Sequence, residues 1–516
     1  VRTASIGSSS LPAIKAYLTG EQFYRRSEWD SAAAYYRVAI AADSTFAPAL
    51  RHLNDVLGWT LPTDQGERDD RYRYALLAGQ MNHGLAPRES LLVAADSMFA
   101  ALQMNFGHEG PLVFSRAGRL LSTLEDGSRR FPHDPEVWFK LGEARYHNLV
   151  FASGVTYASA REAFDRAIAL DSMFSPSYIH MPDLELRAQD PQAAAHYSRA
   201  YLALQPQGAQ AEYLRALLAF LDAKSPAAVP VDSIVRHISF QALTNLSATL
   251  FTWMDPSESQ VLLARALPEY VRASSDPRAA GINVRFLLAQ ALATRGHLTE
   301  AAALVDSTTL SIIPELARLG VIPANRADHL MDVAVRGGFV NPAFLFRWWA
   351  DRGDTAALRR MATHFDTMRG ASLPAAYLTA VRAAVHGHLD LARHDTAAAL
   401  HDFVAVPDSI CVFDDCVISW FTKAQLLEAH HRDREAMSIL RNDIPGNYYE
   451  LLGPGLVLWH LERARVAERL GDAKTERSDY AFVAAAWQHA DSSLQPAVAE
   501  ARAALRRLSP DAPRRP

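Results

Sequence analysis

Cysteine is nearly missing: 516 residues carry two, Cys411 and Cys416, in "SICVFDDCVIS". With no histidine pair at finger-like spacing nearby, they exclude a structural zinc site of the finger type. A local disulfide between Cys411 and Cys416 and two ordinary half-buried thiols both stay open. No apolar run approaches the ~20 residues that cross a bilayer, so no membrane insertion by this segment is expected. The first residue is Val1 rather than Met, and no charged-then-apolar leader follows, so the chain is expected to be a piece or processed product of something longer. Strand signals are equally scarce, with no sustained alternation and no Asn-Gly turns. Neither charge dominates: 52 Lys and Arg stand against 57 Asp and Glu, a net charge of -5 spread along the chain. A nucleic-acid partner, which needs a clustered basic face, is therefore not expected.

Local catalytic signatures are missing too. There is no G-x-x-x-x-G-K-S loop, no G-x-G-x-x-G opening a helix, no G-x-S-x-G elbow, no H-E-x-x-H pair and no kinase set of H-R-D with D-F-G. "HGHLDLARHDTAAALHDF" gathers His386, His388, His394 and His401, but their spacing is not that of one helix face, and solvated histidines are expected there rather than a metal. "HEG" at 108–110 has no partners. No catalytic residue, metal or cofactor is expected.

What the sequence has is helical period. In "YLTGEQFYRRSEWDSAAAYYRVAIAADSTFAPAL", residues 17–50, small and aromatic side chains recur at three- and four-residue steps. With Ala13 and Ala16 they mark one helix face, Tyr17, Gly20, Phe23 and Tyr24. After "SEWD" a second face follows, Ala32, Ala33, Tyr36, Ala39 and Ile40. Two such helices and a short turn form an antiparallel hairpin. Gly20 and Ala32 are placed where the helices cross, and Tyr36 and Phe23 in the wedge toward the next hairpin. A hairpin of this kind cannot bury its faces alone.

The pattern resembles a tetratricopeptide repeat, and it recurs. Trp138, Leu141 and Gly142, then Ala160, Phe164, Ala167 and Ile168, mark a second unit, and "VAIAADSTFAPA" and "RAIALDSMFSPS" end the two in nearly the same words. Weaker units follow at 177–206, 287–305, 375–405, 420–441 and 458–487. The resemblance implies an all-α fold, a right-handed superhelical solenoid of antiparallel hairpins. The expected divisions are a polar arm at 1–10, repeats at 11–206, divergent hairpins at 207–370, repeats again at 371–508, and a disordered tail at 509–516.

In such repeats the first helix lines the concave wall. The candidate groove is Tyr17, Glu21, Tyr24 and Arg25, with Phe139, Glu143, Tyr146 and His147 as a separate patch further along. Aromatics anchor a ligand by area and charges orient it, so a protein or peptide ligand is the expected partner. The alternative, that these aromatics only pack between hairpins, stays open. The words at the start, middle and end are also similar to the C-terminal repeat region of bacterial multidomain serine/threonine kinases and related signalling proteins. That resemblance implies an upstream domain and a location in the cytoplasm, or outside it if a membrane helix precedes the repeats. Three functions remain: a non-catalytic interaction scaffold or sensor, a subunit self-associating head to tail through its ends, and an enzyme with dispersed residues.

Overall fold

The computed structural model describes residues 6–59, 65–104, 112–148, 155–306, 309–336, 342–368, 375–408, 417–442, 444 and 453–509. Cys411 and Cys416 lie outside these, as does the 108–110 tripeptide. Among the described residues every regular element is helical and none is a strand, so the all-α class of antiparallel hairpins is what forms. No described helix is long and apolar enough to cross a membrane. The chain divides into two compact units, Val1–Leu250 with Ser274–Ala280, and Phe251–Ala273 with Gly281–Pro516.

The first unit contains α1 (Leu11–Tyr24), α2 (Trp29–Ala42), α3 (Ala47–Gly58), α4 (Gln65–Gln80), α5 (Pro87–Met104), α6 (Leu112–Arg130), α7 (Pro135–His147) and α8 (Tyr157–Leu170). It continues through α9 (Met181–Arg187), α10 (Pro191–Ala203), α11 (Ala209–Leu221), α12 (Val231–His237) and most of α13 (Phe240–Thr252). Helix starts follow capping chemistry. The Ser10 hydroxyl accepts from the Ala13 amide ahead of α1, and Asp134 accepts from the Glu136 and Val137 amides ahead of Pro135 and α7. Thr156 and Ser159 form a reciprocal capping box at α8.

Hairpins close by one recurring contact. A methyl group on Gly20 would sit 2.6 Å from the Tyr36 ring, one on Gly142 2.6 Å from the Phe164 ring, and one on Gly387, in the second unit, 2.9 Å from Phe403. In each hairpin the first helix gives up a side chain so that an aromatic of the second can lie flat on its backbone. The Tyr36 ring therefore fills its own hairpin, although it also reaches α3 at His52. The matching words after α2 and α8 make the same turn. The Asp43 and Asp171 carboxylates accept from the amides of Thr45 and Met173, each at 3.0 Å, and this drops Phe46 and Phe174 into the core.

A simple solenoid keeps contacts between neighbouring repeats, but in the first unit the α1–α2 hairpin also packs against α7–α8. Arg25 donates to Asp171, Ser27 and Ser175 hydroxyls lie 2.7 Å apart, and one core runs from Tyr17 and Tyr24 to Phe139 and Phe164.

The second unit contains α14 (Ser259–Ala273), α15 (Val284–Thr294), α16 (Leu298–Leu304), α17 (Ile313–Arg318), α18 (Ala324–Arg336), α19 (Pro342–Asp351), α20 (Thr355–Thr367) and α21 (Ala375–Ala392). Then come α22 (Thr396–Ala405), α23 (Val417–Ala429), α24 (Asp433–Leu440), α25 (Gly455–Leu470), α26 (Ala473–Ala486) and α27 (Gln495–Arg507). It too closes on itself. Thr294 donates to the Gly453 carbonyl, the Trp487 indole donates to the Thr294 carbonyl, and the Asp491 amide donates to Gly296. Gly296 adopts a φ of 80° against Ala490 and Trp487, a backbone shape and a gap that only glycine fits.

Candidate functional site

Helix α3 starts at Ala47 with Pro48 in its first turn, and it is buried on nearly every side. Alongside Leu50, Leu53 and Val56 it takes Arg51, His52 and Asn54 into the interior, Arg51 and His52 with no exposure at all. A buried guanidinium is tolerated only when paired, and Arg51 is paired with residues of two distant helices. It donates to Asp96 of α5 at 3.1 Å and to Glu136 of α7 at 2.8 Å. Lys140 of α7 bridges Asp55 at 2.6 Å and Asp96 at 2.8 Å, and Arg88 donates to Asp134 and to Glu136. Burial opposes the charge on Glu136, but Arg51 and Arg88 hold its carboxyl well below the usual range. Lys140 is likewise kept charged against burial by Asp55 and Asp96.

Carboxylates outnumber cations in this network, and two of them hold protons more tightly than usual. Burial, then the neighbouring Asp96, pushes Asp55 up to about 6. Burial, then Glu136, pushes Glu21 up to about 8. The geometry at Glu21 agrees. Arg51 donates to His52 Nε2 at 2.5 Å, so that nitrogen is an acceptor, and it faces Glu21 Oε1 at 3.3 Å. A protonated Glu21 still accepts from the Tyr36 hydroxyl, 2.6 Å away, and sets no second negative charge beside Glu136.

A stability effect with a definite sign follows. The folded state keeps a proton on Glu21 that the unfolded chain loses near its ordinary value of 4.5, so stability falls as pH rises from about 4.5 through about 8. Glu21→Gln keeps the Tyr36 acceptor and removes the titration. Thermal unfolding at pH 5.5 and pH 8 should show the variant gaining on the wild type much more at the higher pH. An equal gain at both would mean that Glu21 carries no such proton.

Beside the network lies a cavity of about 280 Å3 between α3, α5, α6 and α7. Its lining includes Tyr24, Asn54, Asp55, Trp59, Arg71, Asp96, Phe99, Phe139, Lys140, Glu143 and His147. Four of its buried oxygens have no hydrogen-bond partner among the described residues: Tyr24 Oη, Asn54 Oδ1, Asp55 Oδ2 and Glu143 Oε1. Arg71 Nε is a buried donor in the same condition. An unsatisfied buried polar atom costs about 1–3 kcal/mol, and a group that offers several donors and one acceptor would complement all five.

The eight residues of the candidate groove are distributed around this region rather than along an open wall. Tyr17, Tyr24 and Phe139 are core residues, at 8%, 1% and 1% exposure. Tyr17 and Tyr24 pack on His52, and Phe139 packs on Phe164 and Phe174. The packing alternative accounts for these three rings. Tyr24, Phe139, Glu143 and His147 come together on the cavity, so the two sets are joined and not separate patches. Arg25 is half-exposed on Asp171 and over the Phe174 ring. Tyr146 points to α9, where its hydroxyl donates to Asp183 at 2.6 Å and its ring stacks on His180. Arg51, Asn54, Asp55, Asp96, Lys140 and His180 were not singled out from the sequence. An i,i+4 pair such as Arg51 and Asp55 has the same spacing on a solvated helix face.

The histidine-rich stretch in the second unit is not uniformly solvated. His388 is buried, its Nδ1 lies 2.7 Å from the Ala384 carbonyl, and burial pushes it down to about 4, so it is a neutral core residue. His386 faces Asp366 at the surface.

No protein-family model matches the sequence, and no curated protein matches it. Among solved structures the chain is similar to the crystal structure of the APC/C hetero-tetramer Cut9–Hcn1, with 11% identity and a TM-score of 0.27 over 97% of this chain and 98% of that one. It is also similar to the structure of Naa15/Naa10 bound to HypK-THB, with 11% identity and a TM-score of 0.21 over 96% and 80% of the two chains. A circular tandem repeat protein is similar at 12% identity and a TM-score of 0.13, over 97% and 98%. Superpositions this loose carry neither a partner nor an activity across.

Proposed function

We propose that this chain is a non-catalytic interaction module that holds a protein segment by inserting one cationic side chain, with its adjoining carbonyl, into the cavity of the first unit. The observation that supports this reading is the set of partnerless buried atoms. Asp55, Asn54, Tyr24 and Glu143 offer acceptors for an ammonium or guanidinium group, and Arg71 offers a donor for a backbone carbonyl. The volume, just below the ~300–1,000 Å3 of small-molecule sites, suits a side chain better than a cofactor. Lys140 is engaged by two carboxylates and kept charged, so it is neither a free base nor a nucleophile. Head-to-tail assembly is less favoured, because in each unit an early hairpin already packs against a later one. The resemblance to bacterial kinase repeat regions supports a place in a larger signalling protein, where such a segment would be sensed.

Selection of random displayed heptapeptides on the purified chain tests this. Recovered sequences should share a Lys or Arg at one position. Asp55→Asn, assayed at a temperature where circular dichroism shows it as helical as the wild type, should lose them. Recovery of peptides without a basic residue, or equal binding by the variant, would contradict the reading.

A further inference from the structure

We propose that Glu143, His147 and His180 form a binding site for a zinc-class divalent cation at the edge of the same unit. Glu143 and His147 stand one turn apart on α7 and share a face of that helix. His180 comes from the residue immediately before α9, 33 positions further on, and is brought there by the turn that follows α8. One ligand atom from each of the three lies within 4.8 Å of the others, the only such group among the described residues.

The distances are compatible with a shared cation. Zinc holds nitrogen and oxygen donors at about 2.0–2.2 Å, which in a tetrahedron places the donors about 3.3 Å from one another. Glu143 Oε1 is 3.2 Å from His180 Nε2, and Glu143 Oε2 is 3.7 Å from His147 Nε2. Glu143 Oε1 and His180 Nε2 are both shielded from solvent and pair with each other at 3.2 Å without a well-aligned hydrogen bond. Both imidazoles therefore face the Glu143 carboxylate, and against its burial they hold it well below its usual range. A cation there would satisfy both.

The rings are already held for ligation. His180 stacks on Tyr146 with centroids 4.0 Å apart, and His147 meets the Tyr146 ring edge-on at 5.0 Å. Tyr146 is itself anchored to Asp183, so one aromatic orients both imidazoles. His147 is 40% exposed, which leaves a path from solvent. Three protein donors leave a fourth position for water or a group in the cavity that Glu143 and His147 line. Two imidazoles and one carboxylate select zinc, cobalt, nickel or copper over magnesium and calcium, which prefer oxygen.

This inference shares Glu143 with the peptide reading but does not need that reading. A cation here and a basic side chain in the cavity would repel and weaken one another, so each is measured without the other. The experiment uses the full chain, free of any tag and stripped of metal, titrated with Co2+ alone and followed by its visible spectrum, then with Zn2+ by calorimetry. One equivalent should bind with the bands of a four- or five-coordinate nitrogen and oxygen site, and Zn2+ should displace it. His147→Ala and Glu143→Gln should each weaken binding by about tenfold or more. His386→Ala, a surface histidine elsewhere, should leave it unchanged. His147 is exposed, so its variant should unfold at the same temperature as the wild type without metal, and should lose the rise in melting temperature that Zn2+ confers. No stoichiometric binding, or an equivalent that survives both His147→Ala and Glu143→Gln, would overturn the site.

Discussion

Replacing Arg51 by alanine should destabilise the first unit by about 3–5 kcal/mol, the cost of breaking a buried ion pair from one side. Arg51 has no exposed surface, and it carries charge to both Asp96 and Glu136. Without it, Lys140 alone compensates Asp55 and Asp96, and Arg88 alone compensates Glu136. A chain with two units does not unfold as one step, so the loss is best read by amide hydrogen exchange. Helices α3, α5 and α7 should lose protection while α25–α27 keep theirs. The deficit should shrink as pH falls, because protonation discharges the stranded carboxylates. A cost under about 1 kcal/mol, as for a surface pair, would show that the network is solvated.

Trp487→Ala should cost the second unit about 3–5 kcal/mol, the range for deleting a buried large aromatic. The side chain has no exposed surface, its indole donates to the Thr294 carbonyl at 3.1 Å, and its ring fills the space beside Gly296. These contacts join residues almost two hundred positions apart. Protection should therefore fall in α15 and α16 as well as in α26, with the first unit unaffected. Trp487→Phe restores part of the volume but not the N–H, and should recover only part of the loss. A change confined to α26 and α27 would mean that the unit is held by neighbouring contacts alone.

The hairpins were legible because their signal is local. Gly20 and Gly142 announce helix crossings, and the aromatic each accommodates lies one helix later, at Tyr36 and Phe164. The twin words around Asp43 and Asp171 likewise encode a turn that depends only on the next few residues. Closure within each unit was not legible, since Arg25 with Asp171 and Trp487 with Thr294 pair across most of a unit. The cavity was half visible. Tyr24, Phe139, Glu143 and His147 stood out by recurrence, but recurrence does not say whether a ring faces solvent or a neighbouring hairpin. The charged floor came from α3 and α5, in a stretch where repeat markers fade. There the burial of Arg51, Asp55 and Asp96 is decided by partners that lie 45 to 85 residues away. His180 sits in the turn before α9 and belongs to no periodic face.

The central claim is that Asp55 receives the cationic side chain of a bound segment. The direct measurement is a double-mutant cycle by fluorescence anisotropy, using a selected basic peptide, its Arg→Gln or Lys→Gln counterpart, the wild-type chain and Asp55→Asn. A close charge pair should give a coupling of about 1.5 kcal/mol or more. Additive losses, with coupling indistinguishable from zero between folded proteins, would place the cationic group elsewhere and contradict the account.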